Sequence, residues 1–311
     1  MATTSWHEAL SRAIKHLRDA GVPSPEYDAR SLAEHCLGRV PLASEPIPAR
    51  MEVLFEAGVR RRAKREPLQH ILGKMWFRYL ELESRPGVFI TRPETELVAQ
   101  AAIDEANRLI KNGVANPRIV DLCTGSGAIA ISIATEVPRS RVTAVELSPE
   151  AFESVQRNNA AYGNKVELIN ADALNFGIET SPAALPACEN TQESQLDLGE
   201  TPVACTEHEF VAEYFDVVVS NPPYVPRYHK LAPEVLADPH MALFGGGDDG
   251  LEFPTALIAH AAKILKPGGL LVMEHADEQG AALREVAGQY FAQAHTGADY
   301  TGADRWLWAR K

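Results

Sequence analysis

Phe215-Asp216-Val217-Val218-Val219-Ser220, followed directly by Asn221-Pro222-Pro223-Tyr224, is the stretch whose reading decides the fold. A short run with three valines predicts a buried strand. A polar side chain at the C-terminal end of such a strand lies where open α/β sheets bind ligands. Pro222 and Pro223 lack an N–H and have a fixed φ, so the loop is stiff and its carbonyls are free to accept. Asn221 adds a side-chain carbonyl, and Tyr224 adds a ring against which a planar group can lie. Two acceptors beside a ring suit a planar –NH2 group. The plainer alternative is a rigid turn that only ends a strand.

Working towards the N-terminus, the same strand-end pattern recurs three times. Ile119-Val120-Asp121-Leu122 is a strand, Thr124-Gly125-Ser126-Gly127 a tight turn, and Ala128 begins a helix. A second strand, from Arg141, ends near Glu146; Ser148-Pro149-Glu150 then opens a helix, with Phe152 and Val155 inward. A third, Val166 to Ile169, runs into Asn170-Ala171-Asp172. Beyond Tyr224 come the cluster Phe244-Gly245-Gly246-Gly247, a helix over 251–265, a strand Leu270 to Glu274 and a helix over 276–289. Two last strands, near 289–295 and 305–310, complete a seven-stranded sheet. Strands alternating with helices predict a parallel α/β sheet of Rossmann-like type with right-handed crossovers.

Four polar residues at successive strand ends then define one cleft. The small residues Thr124 to Gly127 let backbone approach a ligand, and the next helix offers free N–H groups. Glu146 can take both hydroxyls of a ribose. Asp172 can accept from an adenine amino group. Asp121 suits an amino-acid ammonium. Gly125-x-Gly127-x-x-Ala130 also fits a dinucleotide fingerprint, so an NAD(P) oxidoreductase competes. Against it stand the Asp121 charge, which would oppose a pyrophosphate, and the lack of a second nucleotide-binding half. Asn-Pro-Pro-Tyr has no part in hydride transfer. An adenosine carrying a methionine tail fits better.

Residues 1–72 read as a small all-α domain. A helix over 4–20 has capping-box spacing in Ser5 and Glu8, a stripe of Trp6, Leu10, Ile14 and Leu17, and Gly21 as its stop. Another runs from Ser24-Pro25 to Leu37-Gly38 with Ala29, Leu32, Ala33 and Cys36 inward. The third, 49–64, carries Met51, Leu54, Phe55 and Val59 and ends in Arg60, Arg61, Arg62, Lys64 and Arg65. That basic end is either a solvated helix terminus suited to the dipole or a dock for an acidic or RNA-containing partner. Residues 73–92 read as a β-hairpin linker, with a turn at Arg85-Pro86-Gly87 before a strand Val88-Phe89-Ile90. Residues 93–311 form the main domain, and Arg92 at its threshold faces either the cleft or a plain helix start. Within it, 177–209 contains no Lys or Arg and reads as an acidic, mobile insertion.

With 30 Lys and Arg against 42 Asp and Glu, the net charge of −12 opposes a nucleic-acid backbone. No direct nucleic-acid contact is expected, and none with a membrane, because no run approaches the ~18 apolar residues of a span. The charged start lacks the apolar core of a signal peptide, which predicts a cytoplasmic protein. Cys36, Cys123, Cys188 and Cys205 are scattered without CxxC spacing, so neither a metal site nor a disulfide framework is expected.

Asp121-x-x-Thr124-Gly125-Ser126-Gly127, Asn221-Pro222-Pro223-Tyr224 and the element order resemble class I S-adenosylmethionine-dependent methyltransferases acting on planar amino groups. More closely, Glu66-Pro67-Leu68-Gln69, the run from Gly87 to Thr95, Ala242-Leu243-Phe244-Gly245-Gly246 and Asp304-Arg305 resemble the peptide-chain release factor glutamine methyltransferases, the HemK/PrmC family. The resemblance spans nearly the whole chain and skips the acidic insertion. It implies N5-methylation of the glutamine in the Gly-Gly-Gln loop of class-one release factors, with S-adenosyl-L-methionine as cofactor and S-adenosyl-L-homocysteine as product. The helical domain would then select the partner, and the enzyme would act as a monomer. Cofactor binding would fall to Cys123–Gly127, Glu146, Asp172 with Ala173, and Asn221; the substrate clamp would be Asn221, Pro222, Pro223 and Tyr224. Cys123 departs from the family's usual glycine and Glu146 from its usual aspartate.

Catalysis on this reading is positioning. Asn221 and the Pro222 carbonyl hold the amide N–H groups, Tyr224 packs on the amide plane, and no strong base is required. Competing readings are a glutamine of a ribosomal protein, N6-adenine methylation of DNA or RNA, and a non-catalytic binding module.

Overall fold

A computed structural model of the 311-residue chain describes residues 5–177 and 214–311. The expected insertion, with Cys188 and Cys205, lies outside them except for Gly177. The chain begins with helices α1 (Trp6–Asp19), α2 (Pro25–Leu37), α3 (Ala49–Ala63) and the short α4 (Leu68–Leu72). The Ser5–Glu8 capping box is formed, but Ser24, though at the N-cap of α2, makes no side-chain cap bond. Trp6, Ala9, Ala13 and Leu17 are the buried face of α1, with Leu10 and Ile14 at its edge. Leu54, expected inside, is half exposed, and the core of α3 is Phe55 and Val59.

The hairpin is tighter than expected. β1 (Lys74–Phe77) and β2 (Leu80–Glu83) pair antiparallel around Arg78-Tyr79, while 88–90 are not a strand. Arg78 carries no turn signal but adopts φ 51°, held by bidentate donation to Glu136 at 2.6 and 2.8 Å. Met75, Phe77, Leu80 and Leu82 alternate inward and join the core beneath the main sheet.

The main unit follows as α5 (Thr95–Lys111), β3 (Arg118–Leu122), α6 (Ala128–Glu136), β4 (Arg141–Glu146), α7 (Pro149–Ala161), β5 (Val166–Asn170) and β6 (Phe215–Ser220). Then come α8 (His240–Leu243), α9 (Glu252–Ile264), β7 (Leu265–Glu274), α10 (Gly280–Ala287), β8 (Gln293–Ala298) and β9 (Asp304–Arg310). Strand order is β5-β4-β3-β6-β7-β9-β8, parallel as far as β7, with β9 antiparallel to both neighbours. The helix expected over 276–289 is a 3₁₀ turn followed by the shorter α10, and β8 begins four residues later than expected.

Period-2 alternation sorts the strands between two cores. Ile119, Val217 and Val219 face α5, α6 and the hairpin; Val120, Leu122 and Val218 face α9 and α10. The chain order reverses between β3 and its neighbours β4 and β6, so the loops after these strands open a crevice. Among the described residues no helix is long and apolar enough to cross a membrane, and no group of side chains could hold a metal ion.

Candidate active site

Five parallel strands end on one side of the crevice. The turn after β3 carries two positive φ angles at its base, Cys123 at 61° and Gly125 at 58°, and a Cβ on Gly125 would meet open space. The turn therefore brings bare backbone to the cleft at Gly125, at the entry to α6. The open crevice, about 920 Å³, is lined by Cys123 to Ser126, Glu146, Asp172, Ala173 and Asn221. Val145, Leu147, Met241 and Phe253 supply apolar walls. That lining, polar strand ends against apolar walls, suits a nucleoside.

Glu146 is 8% exposed and braces the turn from below. Its Oε2 accepts from Gly125 N at 2.8 Å and its Oε1 from Ser148 N at 2.8 Å. A carboxylate offers about four acceptor sites, so two remain for a diol. Burial raises its pKa, against the backbone N–H groups of Ser148 and Gly125 that favour the charged form. Asp172 accepts from Leu174 N at 3.0 Å and Asn175 Nδ2 at 2.7 Å while staying at the cleft wall.

Two residues singled out with the turn lie elsewhere. Asp121 is 1% exposed and sits behind the turn, accepting from Thr124 Oγ1 at 2.6 Å and Ala130 N at 3.2 Å. Strand alternation puts it on the face of Ile119, under α6, and out of the cleft lining. Gly127 likewise turns inward, where a Cβ would strike Val155 and Ile131.

Asn221 follows β6 and stands between two cavities. It lines the crevice just described and also a second one with Pro222, Tyr224, Arg92 and Arg305. Pro223 lines only the first. Asn221 Nδ2 donates to Thr95 Oγ1 at 3.1 Å, which orients the amide and leaves Oδ1 unengaged. No described residue donates to the Pro222 carbonyl. Asn221 Oδ1 and the carbonyl of its neighbour Pro222, which lines the second cavity, are thus both without a donor among the described residues. The Tyr224 phenol donates to Glu274 Oε1 at 2.9 Å, which holds the ring at the edge of the second cavity.

The glycine cluster braces this loop. A Cβ on Gly250 would sit within the Tyr224 carbonyl, and one on Gly245 within the Gly250 carbonyl. Tyr224 N and Val225 N donate to Leu243 O at 3.1 and 2.8 Å. Arg92 is engaged as well: it pairs with the buried Asp238, whose Oδ1 accepts from Ile90 N at 3.0 Å. Its guanidinium also lies 5.2 Å from the Phe89 ring centre.

Thr95 and Glu274 were not singled out from the sequence. Glu274 ends β7 as the other acids end their strands, so the same rule pointed to it. Thr95 gave no such sign, because its contact with Asn221 spans 126 residues. The basic end of α3 divides: Arg60, Arg61 and Lys64 are exposed to solvent, while Arg62 and Arg65 are held by acids. Arg62, 4% exposed, donates to Asp28 at 2.6 Å and to Glu234 at 2.8 Å, and Arg65 grips Glu234 with two bonds of 2.6 Å.

Comparison with known proteins agrees with this geometry. The PrmC N-terminal domain model matches residues 8–73, and a methyltransferase domain model matches 119–190. A release factor glutamine methyltransferase of Bifidobacterium longum is 42% identical, over 97% of this chain and 98% of its own. One from Streptomyces coelicolor is 41% identical, over 97% and 96%. The chain belongs to the release factor glutamine methyltransferase family. It is therefore a methyltransferase with a Rossmann-like catalytic sheet. A relative from Streptomyces pristinaespiralis, a 4-amino-L-phenylalanine/4-methylamino-L-phenylalanine methyltransferase, is 34% identical over 91% of this chain and 87% of its own. Members named for release factors and one named for an aromatic amine thus share most of the chain.

Proposed function

We propose that this enzyme methylates the side-chain nitrogen of glutamine in the Gly-Gly-Gln loop of class-one release factors, with S-adenosylmethionine in the crevice between Cys123 and Asn221. The observation that carries this reading is Asn221, shared by both cavities, its Oδ1 and the next carbonyl, of Pro222, both without a donor among the described residues. The crevice suits the cofactor: bare backbone at Gly125, a buried carboxylate at the cleft wall, and apolar walls. Cys123 to Ser126, Glu146, Asp172 and Ala173 would hold it. When bound, it supplies an electrophilic methyl group: the C–N bond forms as the S–C bond breaks, and the acceptor nitrogen then loses a proton to water.

The chain's own residues position the acceptor. A primary amide is a poor nucleophile because its lone pair is delocalised into the carbonyl. Asn221 Oδ1 and Pro222 O each accept one N–H, and Tyr224 packs against the plane, so the lone pair points at the crevice. The same two acceptors stabilise the positive charge that grows on nitrogen. Helices α1–α4 select the protein partner, in the cytoplasm where release factors work, and the enzyme acts as a monomer. Arg92 aligns the Asn221 loop through Asp238.

The test is transfer of labelled methyl from S-adenosylmethionine to a release factor, a ribosomal protein, DNA and 4-aminophenylalanine, with mass mapping of the product. Label on the Gly-Gly-Gln glutamine alone is expected; label confined to another acceptor overturns the reading. Asn221→Ala is expected to lower kcat at least ~100-fold, as when a preorganised polar contact is lost.

A further inference from the structure

Glu274 occupies the end of β7, beside β6 and the Asn221 loop. It is 1% exposed, and its Oε2 has no hydrogen-bond partner among the described residues. A buried carboxylate oxygen without a partner is costly, so fold stability alone does not account for this side chain. Its other oxygen accepts from Tyr224 Oη at 2.9 Å. On its other side stands Thr95, whose hydroxyl favours the charged carboxylate. Thr95 Oγ1 accepts from Asn221 Nδ2 at 3.1 Å, so its own proton is free to turn to the partnerless oxygen of Glu274. The two reading groups of the acceptor site, the Asn221 amide and the Tyr224 ring, thereby share one buried acid behind them.

We propose that Glu274 is the positioning residue of the acceptor site, fixing the Tyr224 ring through its phenol and the Asn221 amide through Thr95. This rests on the function proposed above. Ionised, as it is above about pH 7, the Glu274 carboxylate only accepts, so Tyr224 and Thr95 both point their protons at it. Thr95 must then accept from Asn221, which can do so only with Nδ2 turned inward and Oδ1 turned to the substrate. Reversing the amide would place an N–H donor against the substrate's N–H and abolish the clamp. Arg305 from β9 and Glu94 from the start of α5 are the other charges that act on Glu274, with opposite signs.

The test is steady-state kinetics of the full chain carrying Glu274→Gln, alone and together with Tyr224→Phe and Thr95→Val, on a class-one release factor. The isosteric Glu274→Gln is expected to lower kcat at least ~10-fold while KM for the release factor and Kd for S-adenosylhomocysteine change less than ~2-fold. In the Tyr224→Phe/Thr95→Val background the same change is expected to cost under ~2-fold, because it acts through those hydroxyls. A normal kcat, an undiminished cost in that background, or a lower melting temperature without the split between kcat and KM overturns the proposal. An inactive wild-type enzyme refutes the proposed function instead. Positioning is then read from the Asn221 side-chain amide in ¹⁵N spectra of the S-adenosylhomocysteine complex: a shift in Glu274→Gln supports it and an unmoved resonance overturns it.

Discussion

Arg65 donates Nε and Nη2 to the two oxygens of Glu234, both at 2.6 Å, and so joins the end of α3 to the loop that follows the Asn221 tetrad. Burial alone would raise the Glu234 carboxyl, but Arg65 and Arg62 pull it down to about 2. Glu234→Ala leaves Arg62, 5% exposed in its side chain, with Asp28 as its one carboxylate partner among the described residues. Removing one member of a mostly buried pair costs about 3 kcal/mol. We expect a loss of that order in urea unfolding, with a raised KM for the release factor as the helices loosen from the site. An unchanged midpoint and KM would show the link to be idle.

Cys123 holds a left-handed φ of 61° at the base of the cofactor turn. Such a conformation costs an L-residue about 1 kcal/mol, which glycine would relieve. Glycine would also lose the thiol's packing against the α9 core and add about 0.4–1 kcal/mol of unfolded-chain entropy. The terms oppose, so Cys123→Gly is expected within about 1 kcal/mol of wild type. Cys123→Val, β-branched at positive φ, should melt well below it. Burial and the charges of Glu146 and Asp121 push the Cys123 thiol pKa well up, so alkylation at pH 8 should be slow.

What the sequence made legible, and what it hid, follows the range of the interactions. Strand ends are local: an apolar run followed by Glu146, Asp172 or Asn221 is visible in ten residues, and all three line the cleft. Asp121 was found, but its direction follows from strand alternation with Ile119, which turns it under α6. Glu234 lies 172 and 169 residues from Arg62 and Arg65, so nothing local in the basic run marks those two arginines as paired. The hairpin turn was misplaced because Arg78-Tyr79 has no glycine or asparagine; Glu136, 58 residues on, holds Arg78 there. The strand-end rule reaches Glu274 too, but its place behind the Asn221 loop follows from β7 lying next to β6, a matter of sheet order.

Glu146 carries two loads, since one carboxylate holds Gly125 N and Ser148 N at 2.8 Å and still faces the cleft. Glu146→Gln replaces one acceptor oxygen by a donor that must oppose a backbone N–H. Hydrogen bonds to a charged group are worth about 1.5–3 kcal/mol, so S-adenosylhomocysteine should bind roughly 10- to 100-fold more weakly by calorimetry. Unchanged affinity would remove Glu146 from the cofactor site.

Four acids set opposed pH trends in stability. Burial pushes Asp121 and Glu274 up to about 7, from ordinary values of 3.8 and 4.5. Over that window the folded chain keeps two protons that the unfolded chain releases. Their contribution is therefore full below the ordinary values and is lost as pH rises through 7. Glu105 and Glu234 run the other way. Burial would raise both, but their arginine partners hold them at about 2. Their contribution is present above 4.5 and is lost as pH falls towards 2. Urea midpoints should therefore be highest near pH 4.5 and fall on either side. Glu274→Gln removes one titrating group, so the drop in stability between pH 5 and pH 8 should shrink by about 3 kcal/mol. The same drop in wild type and variant would mean that Glu274 titrates no differently in the folded chain than in the unfolded one.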